Sequence, residues 1–427
     1  MSERLVLVSD LHLGLGAAAG HYGPRFVDEF DGDEAFPAFL TWLRSDGRRP
    51  SHLVLLGDTV DFLRVPVPQA LYARNDAQAV QQLEQIATAH PAVFEALSAT
   101  VNDGTVIDFV VGNHDVELAR PAVQRRLRTL LGVPEDSAAD SEAVRFHLWG
   151  YYVPGLLYAE HGNHYHDVNS FRRPLTPFHD KRTERPLATR IHSALRHLPR
   201  KHAGAPPLHH VFADLLSVDR VPSATMEDYY AKVLSRYAAE IGLPVSTVRQ
   251  LHELGRTSRL ATLVRIAKVR MGHDLSFGEA APGIATSVHQ VLAAAGCAVP
   301  FCIFGHSHAA SHLRLSGGVG DYLNTGTWST DYRAATGGGQ PAPDSQRRTW
   351  VELTGHGSDN PQATLLHWVT RQSSTQATPA VRLSRPLKGL DRLEQPTFGG
   401  LPDQPDGPQE LGAPSPSRDG DKLWRQT

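Results

Sequence analysis

The sequence predicts an α/β protein interrupted by a helical insert. Three observations carry this. Short apolar runs alternate with helical stretches from residue 1 to 165, the strand signal fades from 166 to 298, and it returns from 299 to 370. Leu5–Val8, Leu53–Leu56 and Val106–Val111 are the first three strand-like runs. Between them, Asp33–Leu43 places Phe36, Phe39, Leu40 and Leu43 on one helical face, and Gln81–Leu97 and Val116–Leu131 also read as helices. Leu148–Tyr158 reads as a further strand region with a turn at Pro154-Gly155. Strands alternating in this way with helices form βαβ units and a mainly parallel or mixed sheet.

The segment 166–298 is helical in pattern. Pro186–Leu198 is a basic helix, and Met226–Ile241 carries Met226, Tyr230, Val233, Leu234, Tyr237 and Ile241 at helical spacing until Gly242 and Pro244 end it. Thr247–Leu254 and Leu260–Met271 continue the reading. The segment holds 18 Lys+Arg against 11 Asp+Glu in a chain whose net charge is -3, so it is locally basic. Strands return at Val299–Phe304, Tyr322-Leu323, Thr349–Leu353 and Ala363–Val369. From 371 to 427 prolines and polar residues dominate, which predicts a disordered tail.

Bulk properties exclude several classes. A near-neutral chain has no global pull towards nucleic acid or an anionic membrane. Two cysteines, Cys297 and Cys302, make no CxxC pair and no disulfide framework. The longest apolar stretch, Ile284–Phe304, is broken by His289, Gln290 and Pro300, so no membrane span is expected. With a strand at the N-terminus and no leader-like segment before it, a cytoplasmic protein is the expectation. Histidine is abundant, at 23 residues, and with so little cysteine this favours nitrogen and oxygen metal ligands over thiolates.

Five short polar motifs each follow an apolar run: Asp10-Leu11-His12, Gly57-Asp58-Thr59-Val60-Asp61, Gly112-Asn113-His114-Asp115, His161 after Glu160, and Gly305-His306-Ser307-His308. Ligands of open α/β sheets sit beyond the carboxyl ends of strands, so one sheet edge would gather all five. If the strands stay extended through the motifs, Asp10 and His12 point the same way, as do His306 and His308. The aspartates, the asparagine and the histidines are too many ligands for one zinc ion, but they suit two ions sharing a carboxylate. Mn, Fe, Zn, Co and Ni all accept such donors.

The set resembles the calcineurin-like metallophosphoesterase superfamily, whose motifs run DxH, GDxxD, GNH(D/E), H and GHxH in that order. The resemblance covers 1–165 and about 299–330. It implies a sandwich of two mixed β-sheets flanked by helices, with a core in two parts, 1–165 and 299–370, around an insert or cap at 166–298. It implies two divalent metal ions, manganese first among the candidates. Asp10, His12, Asp58 and His308 would hold one, and Asp58, Asn113, His161 and His306 the other. It further implies hydrolysis of a phosphate mono- or diester by a hydroxide bridging the ions. His114 would be the acid for the leaving group and Asp61 the carboxylate that orients it. The substrate would be a phosphorylated small molecule or nucleotide, with His164, Arg172 and Arg173 as candidate contacts, and His166, like His164, following His161 closely enough to touch the substrate or a metal ligand. In the insert, Lys181, Arg182, Arg185 and Arg190 are further cations for an anionic substrate, and Asp115 is expected to cap the helix starting near Val116. Asn324-Thr325-Gly326-Thr327-Trp328 is expected to shape the loop beside the metals, with Trp328 in the core.

Departures narrow the choice. Protein phosphatases of the superfamily carry Arg-Gly where Phe62-Leu63 stand here, and its repair nucleases usually carry histidine at Asp61. UDP-diacylglucosamine pyrophosphohydrolases share the first two motifs but carry arginine at His114. Two alternatives stay open: a nuclease acting on DNA or RNA, and a catalytically silent scaffold of the same fold.

Overall fold

The computed structural model describes residues 4–16, 29–45, 47–134, 142–166, 169–179, 182–183, 185–186, 189–190, 193, 224–255, 277–329, 348–358, 360–369 and 407–410. Its centre is a pair of mixed sheets. The first takes the order β14-β13-β12-β1-β2-β3-β4 and the second β10-β11-β9-β6-β5. In the first, β1 (Leu5–Val8), β2 (His52–Leu56), β3 (Val106–Val110) and β4 (Val144–His147) run parallel, and β12 (Thr349–Thr354) and β13 (Gln362–Val369) add antiparallel neighbours. In the second, β6 (Leu157–Glu160), β9 (Phe301–Phe304) and β11 (Asp321–Asn324) are parallel, with β5 (Gly150–Val153) and β10 (Ser311–Arg314) antiparallel at the two edges. A short hairpin, β7 (Phe178–His179) with β8 (Arg182–Thr183), stands apart.

The alternating side-chain direction of a strand divides its residues between two buried faces. Leu5, Leu7, Val54, Leu56 and Val110 meet Leu157, Ala159, Phe301, Ile303 and Leu323 between the sheets. The intervening Val6, Val8, Leu53, Leu55, Ile107 and Phe109 face helices α1 (Ala35–Leu43), α2 (Asp76–Ala89), α3 (Pro91–Asn102) and α4 (Pro121–Leu130). Each fully buried leucine or valine contributes about 1.5–3 kcal/mol.

Prolines correct two expected helices. Gln81–Leu97 is split at His90, because a residue before proline is driven out of the α region and Pro91 starts a new helix. The same rule splits Val116–Leu131: a 3₁₀ turn, Val116–Ala119, ends at extended Arg120, and Pro121 opens α4.

The insert is also corrected in part. Its described helices, α5 (Ala224–Ile241), α6 (residues 245–255) and α7 (Phe277–Ala294), lie on the outer face of the second sheet. Leu234, Ala238, Val248, Leu251, Ala285 and Val288 pack there against Tyr158, Cys302, Phe304 and Tyr322. They form a layer of the core, so the expectation of a lid over the metal edge does not apply to them. Leu260–Met271 and most of Pro186–Leu198 lie outside the described residues. In the expected tail, Gly407–Glu410 is described, and as an edge strand, β14, on β13. Pro408 is tolerated there because an edge strand need not donate on both sides. No helix among the described residues is long and apolar enough to cross a membrane.

One charge sits inside this framework. Asp108 alternates with Ile107 and Phe109 and is fully buried. Its oxygens accept from His52 Nδ1 at 2.7 Å and His147 Nε2 at 2.8 Å. Burial opposes ionisation, but the two histidines overcome it and hold the carboxyl at about 2. A depressed carboxyl pKa stabilises fully above its unfolded value and loses that contribution as the pH falls through the folded value. Asp108→Asn should therefore lower unfolding free energy by about 2 kcal/mol at neutral pH. In urea titrations the gap from the wild type should be constant above about pH 5 and narrow below about pH 4.

Candidate metal centre

The parallel strands β1, β2, β3, β6 and β9 carry the five motifs at their carboxyl ends, and the loops that follow converge at one edge of the sandwich. The backbone there departs from the extended alternation expected for Asp10/His12 and His306/His308. Among the described residues, seven non-glycine residues have positive φ, and five of them are Asp10, His12, Asp58, His306 and His308, at 50–65°. The side chains thus converge through left-handed turns. Such conformations cost about 1–2 kcal/mol per non-glycine residue and collect at functional sites. Hydrogen bonds hold the turns: Asp10 N donates to Gly57 O, His12 N to Asp58 O, and Trp328 N to Asp10 O.

Two carboxylates organise the cluster. Asp10 Oδ2 accepts from Ser9 Oγ and from His306 N at 3.0 Å, while Oδ1 lies 3.2 Å from His308 Nε2 and 3.7 Å from His12 Nε2. Asp58 Oδ1 accepts from His114 N at 2.8 Å, while Oδ2 lies 3.2 Å from His161 Nε2 and 3.8 Å from His12 Nε2. His161 Nδ1 donates to Leu56 O at 3.0 Å, so Nε2 is the nitrogen turned towards Asp58. Asp10, His12, Asp58, Asn113 and His161 are at most 2% exposed.

Polar atoms this deeply buried normally have partners. Among the described residues, Asp10 Oδ1, Asn113 Oδ1 and His161 Nε2 have no hydrogen-bond partner. Three carboxylate–histidine groups, Asp10/His12/His308, Asp58/His161/His306 and His12/Asp61/His114, each bring their donor atoms within 4.8 Å of one another. Divalent cations would satisfy the orphaned atoms, and the oxygen and imidazole donor set suits Mn, Fe, Co, Ni or Zn. Burial opposes charge on His12, yet Asp10, Asp61 and Asp58 raise its pKa to about 10. Burial likewise opposes charge on His161, and Asp58 and Asp10 raise it to about 9. An entering cation therefore displaces protons.

The motif glycines clear space. A Cβ on Gly57 would lie 2.4 Å from the His161 ring, at φ +85°, and one on Gly112 would lie 2.2 Å from Asp58 Oδ1. Asn324 bonds Gly305 O through Nδ2, Thr327 Oγ1 bonds Asp10 O, and Trp328 is buried against Phe36 and Phe39. That segment shapes the loops as expected.

The family model for the calcineurin-like phosphoesterase matches residues 3–222, just over half of the chain. The chain belongs to the calcineurin-like phosphoesterase family. Membership implies metal-dependent hydrolysis of phosphoesters, and the fold is the family's pair of mixed sheets with flanking helices. No curated protein matches the chain. The family match ends before His306 and His308, and it is the β6–β9 pairing that brings this last motif beside the others.

The remaining expected residues divide. Asp61 Oδ2 lies 3.0 Å from His114 Nδ1, and the His114 ring stands edge-on to His12 at 4.6 Å. His164 is instead buried, its ring 5.4 Å from Trp149 on the side of the helical layer. Arg172 is exposed and Arg173 half-buried on the loop after β6, and the Arg172 carbonyl accepts from His252. Arg185 is buried in an ion pair with Glu117 and stacks on Tyr72, so it does not serve as an open anion contact. Lys181 lies outside the described residues, as does the side chain of Arg182. Asp115 makes no side-chain cap. Its oxygens accept from Gly112 N at 2.7 Å and Thr59 N at 2.9 Å, stapling two motif loops together.

One residue escaped the sequence reading. Arg64 Nε lies 3.0 Å from Asp61 Oδ2, and its guanidinium also pairs with Glu29. The signal was its i,i+3 spacing from Asp61. His166, a candidate contact by its closeness to His161 in the sequence, lies against His306.

Gly57→Ala should be costly, because the added methyl meets the His161 ring and the left-handed backbone penalises it by roughly 1–2 kcal/mol. The expected outcome is a lower melting temperature and fewer retained metal equivalents by elemental analysis.

Proposed function

We propose that this chain hydrolyses a phosphorylated small molecule or nucleotide with two divalent cations, manganese first among the candidates. Asp10, His12, Asp58 and His308 would hold one cation, and Asp58, Asn113, His161 and His306 the other. The observation that carries the reading is the split use of Asp58: one oxygen is tied to the His114 amide, and the other lies between His161 and His12. When bound, the cations would acidify a water molecule and neutralise phosphate charge.

The chain's own groups supply the rest. Asp10 and Asp58 keep their carboxylates ionised: burial raises both pKa values, and the surrounding histidines more than reverse it. Asp61 faces Nδ1 of His114, which leaves Nε2 as the nitrogen that protonates the leaving oxygen. Arg64 Nε donates to Oδ2 of Asp61, the same oxygen that faces His114, and so helps to hold the carboxylate in place. His114, His306 and His308 are the partly exposed members, with the His114 and His308 side chains at 16% and 23%, and they mark the side from which substrate would enter. A silent scaffold would have no use for buried carboxylate and imidazole atoms that lack partners among the described residues.

Asp58→Asn should abolish turnover of an aryl phosphate and metal retention together, measured by initial rates with added Mn²⁺ and by elemental analysis. Near-normal activity in that variant would rule out the bridging role. His114→Asn should keep its metal and lose roughly 10²–10⁴ in kcat on substrates with poor leaving groups. The loss should be far smaller for nitrophenyl esters, whose leaving oxygen does not require a proton. A panel of monoesters, diesters, nucleotides and cyclic nucleotides identifies the substrate class.

A further inference from the structure

The loop after β6 adds a histidine that the metal-binding motifs do not include. His166 closes the 3₁₀ turn Asn163–Tyr165, and its Nδ1 lies 2.8 Å from Nε2 of His306. The two rings are 5.1 Å apart and tilted by 61°, a hydrogen-bonding arrangement rather than a stack. The amide of Asn169 closes the group, 2.9 Å from His166 Nδ1 and 3.2 Å from His306 Nε2.

The loop is built to hold this contact. His166 N donates to Asn163 O, Asn169 N donates to His166 O, and Asn163 Nδ2 donates to Asn169 O. Asn163 is fully buried and Asn169 nearly so. These three hydrogen bonds hold the His166 backbone between Asn163 and Asn169.

An imidazole can bind a cation through either nitrogen, and the hydrogen bond made by the other decides which. Two facing imidazole nitrogens 2.8 Å apart need a proton between them. If that proton belongs to His306 Nε2, then Nδ1 is the lone-pair nitrogen of His306, available to the group it forms with Asp58 and His161. His161 is oriented by the same device with opposite polarity: Leu56 O takes the Nδ1 proton and leaves Nε2.

We propose that His166 is a positioning residue, accepting the Nε2 proton of His306 and so fixing His306 as the tautomer that offers Nδ1 to the second cation. The inference rests on the dinuclear reading above. A backbone carbonyl could accept the same proton, but a histidine lets the loop 163–169 and the loop of His306 hold each other across the two strands β6 and β9. A neutral imidazole also does so without adding negative charge to a site already holding Asp10 and Asp58.

The test is calorimetric titration of Mn²⁺ into the metal-free full chain, for the wild type, His166→Leu, His166→Asn and His306→Ala. Asn places an oxygen acceptor close to where Nδ1 stood, and Leu removes the acceptor. The Leu variant should bind one equivalent as the wild type does and the other about 10–100-fold more weakly. The Asn variant should recover to within a few-fold of the wild type. Wild-type binding of both equivalents by the Leu variant overturns the proposal. So does failure of the Asn variant to recover, with far-UV circular dichroism showing it folded. A changed donor count in the Co²⁺ absorption spectrum of the Asn variant would make His166 itself a ligand and overturn it as well. The underlying dinuclear reading fails separately, if the wild type binds fewer than two equivalents or His306→Ala binds both undisturbed.

Discussion

Two buried carboxylates divide their oxygens between structure and site, and the rest of the arrangement follows from that division. In Asp10 and Asp58 one oxygen accepts backbone or hydroxyl hydrogens and the other faces imidazole nitrogens. A carboxylate free to rotate would share its charge between both directions. A tethered one presents a fixed point of negative charge inside a protein, where the effective dielectric is low and the interaction correspondingly strong. The donors are backbone amides of other motifs, His306 N for Asp10 and His114 N for Asp58, so each loop orients a candidate ligand on another.

That mutual dependence explains the strained backbone. Five candidate ligands occupy left-handed conformations that none would adopt in isolation. The strain persists because the sandwich over-determines the strand ends: both faces of β1, β2, β3, β6 and β9 are packed, one against the opposite sheet and one against helices. The helices of 224–255 and 277–294 belong to this support. By covering the outer face of β6 and β9 they fix the two strands that deliver His161 and His306.

Much of the candidate site was legible because its residue types are restricted by chemistry. Oxygen and nitrogen donors spaced behind apolar runs leave few interpretations, and Gly57 and Gly112 stand where a methyl would strike a neighbouring donor. Arg64 was not legible in the same way. Arginine three residues after an aspartate is common on any helical turn. Asp115 was misread because an aspartate before a helix usually caps it, and only the fold shows Gly112 and Thr59 within its reach.

Local rules in the sequence determined the strands, the positions of the polar motifs behind them and, through Pro91 and Pro121, where helices must break. These depend on neighbours a few residues apart, so the linear chain contains them. Tertiary structure alone decided that the basic segment's described helices form a core layer and that Arg185 is spent on Glu117. Those outcomes depend on which apolar faces meet. Hydrophobic burial is non-directional, and it selects partners only when the whole chain has competed for them.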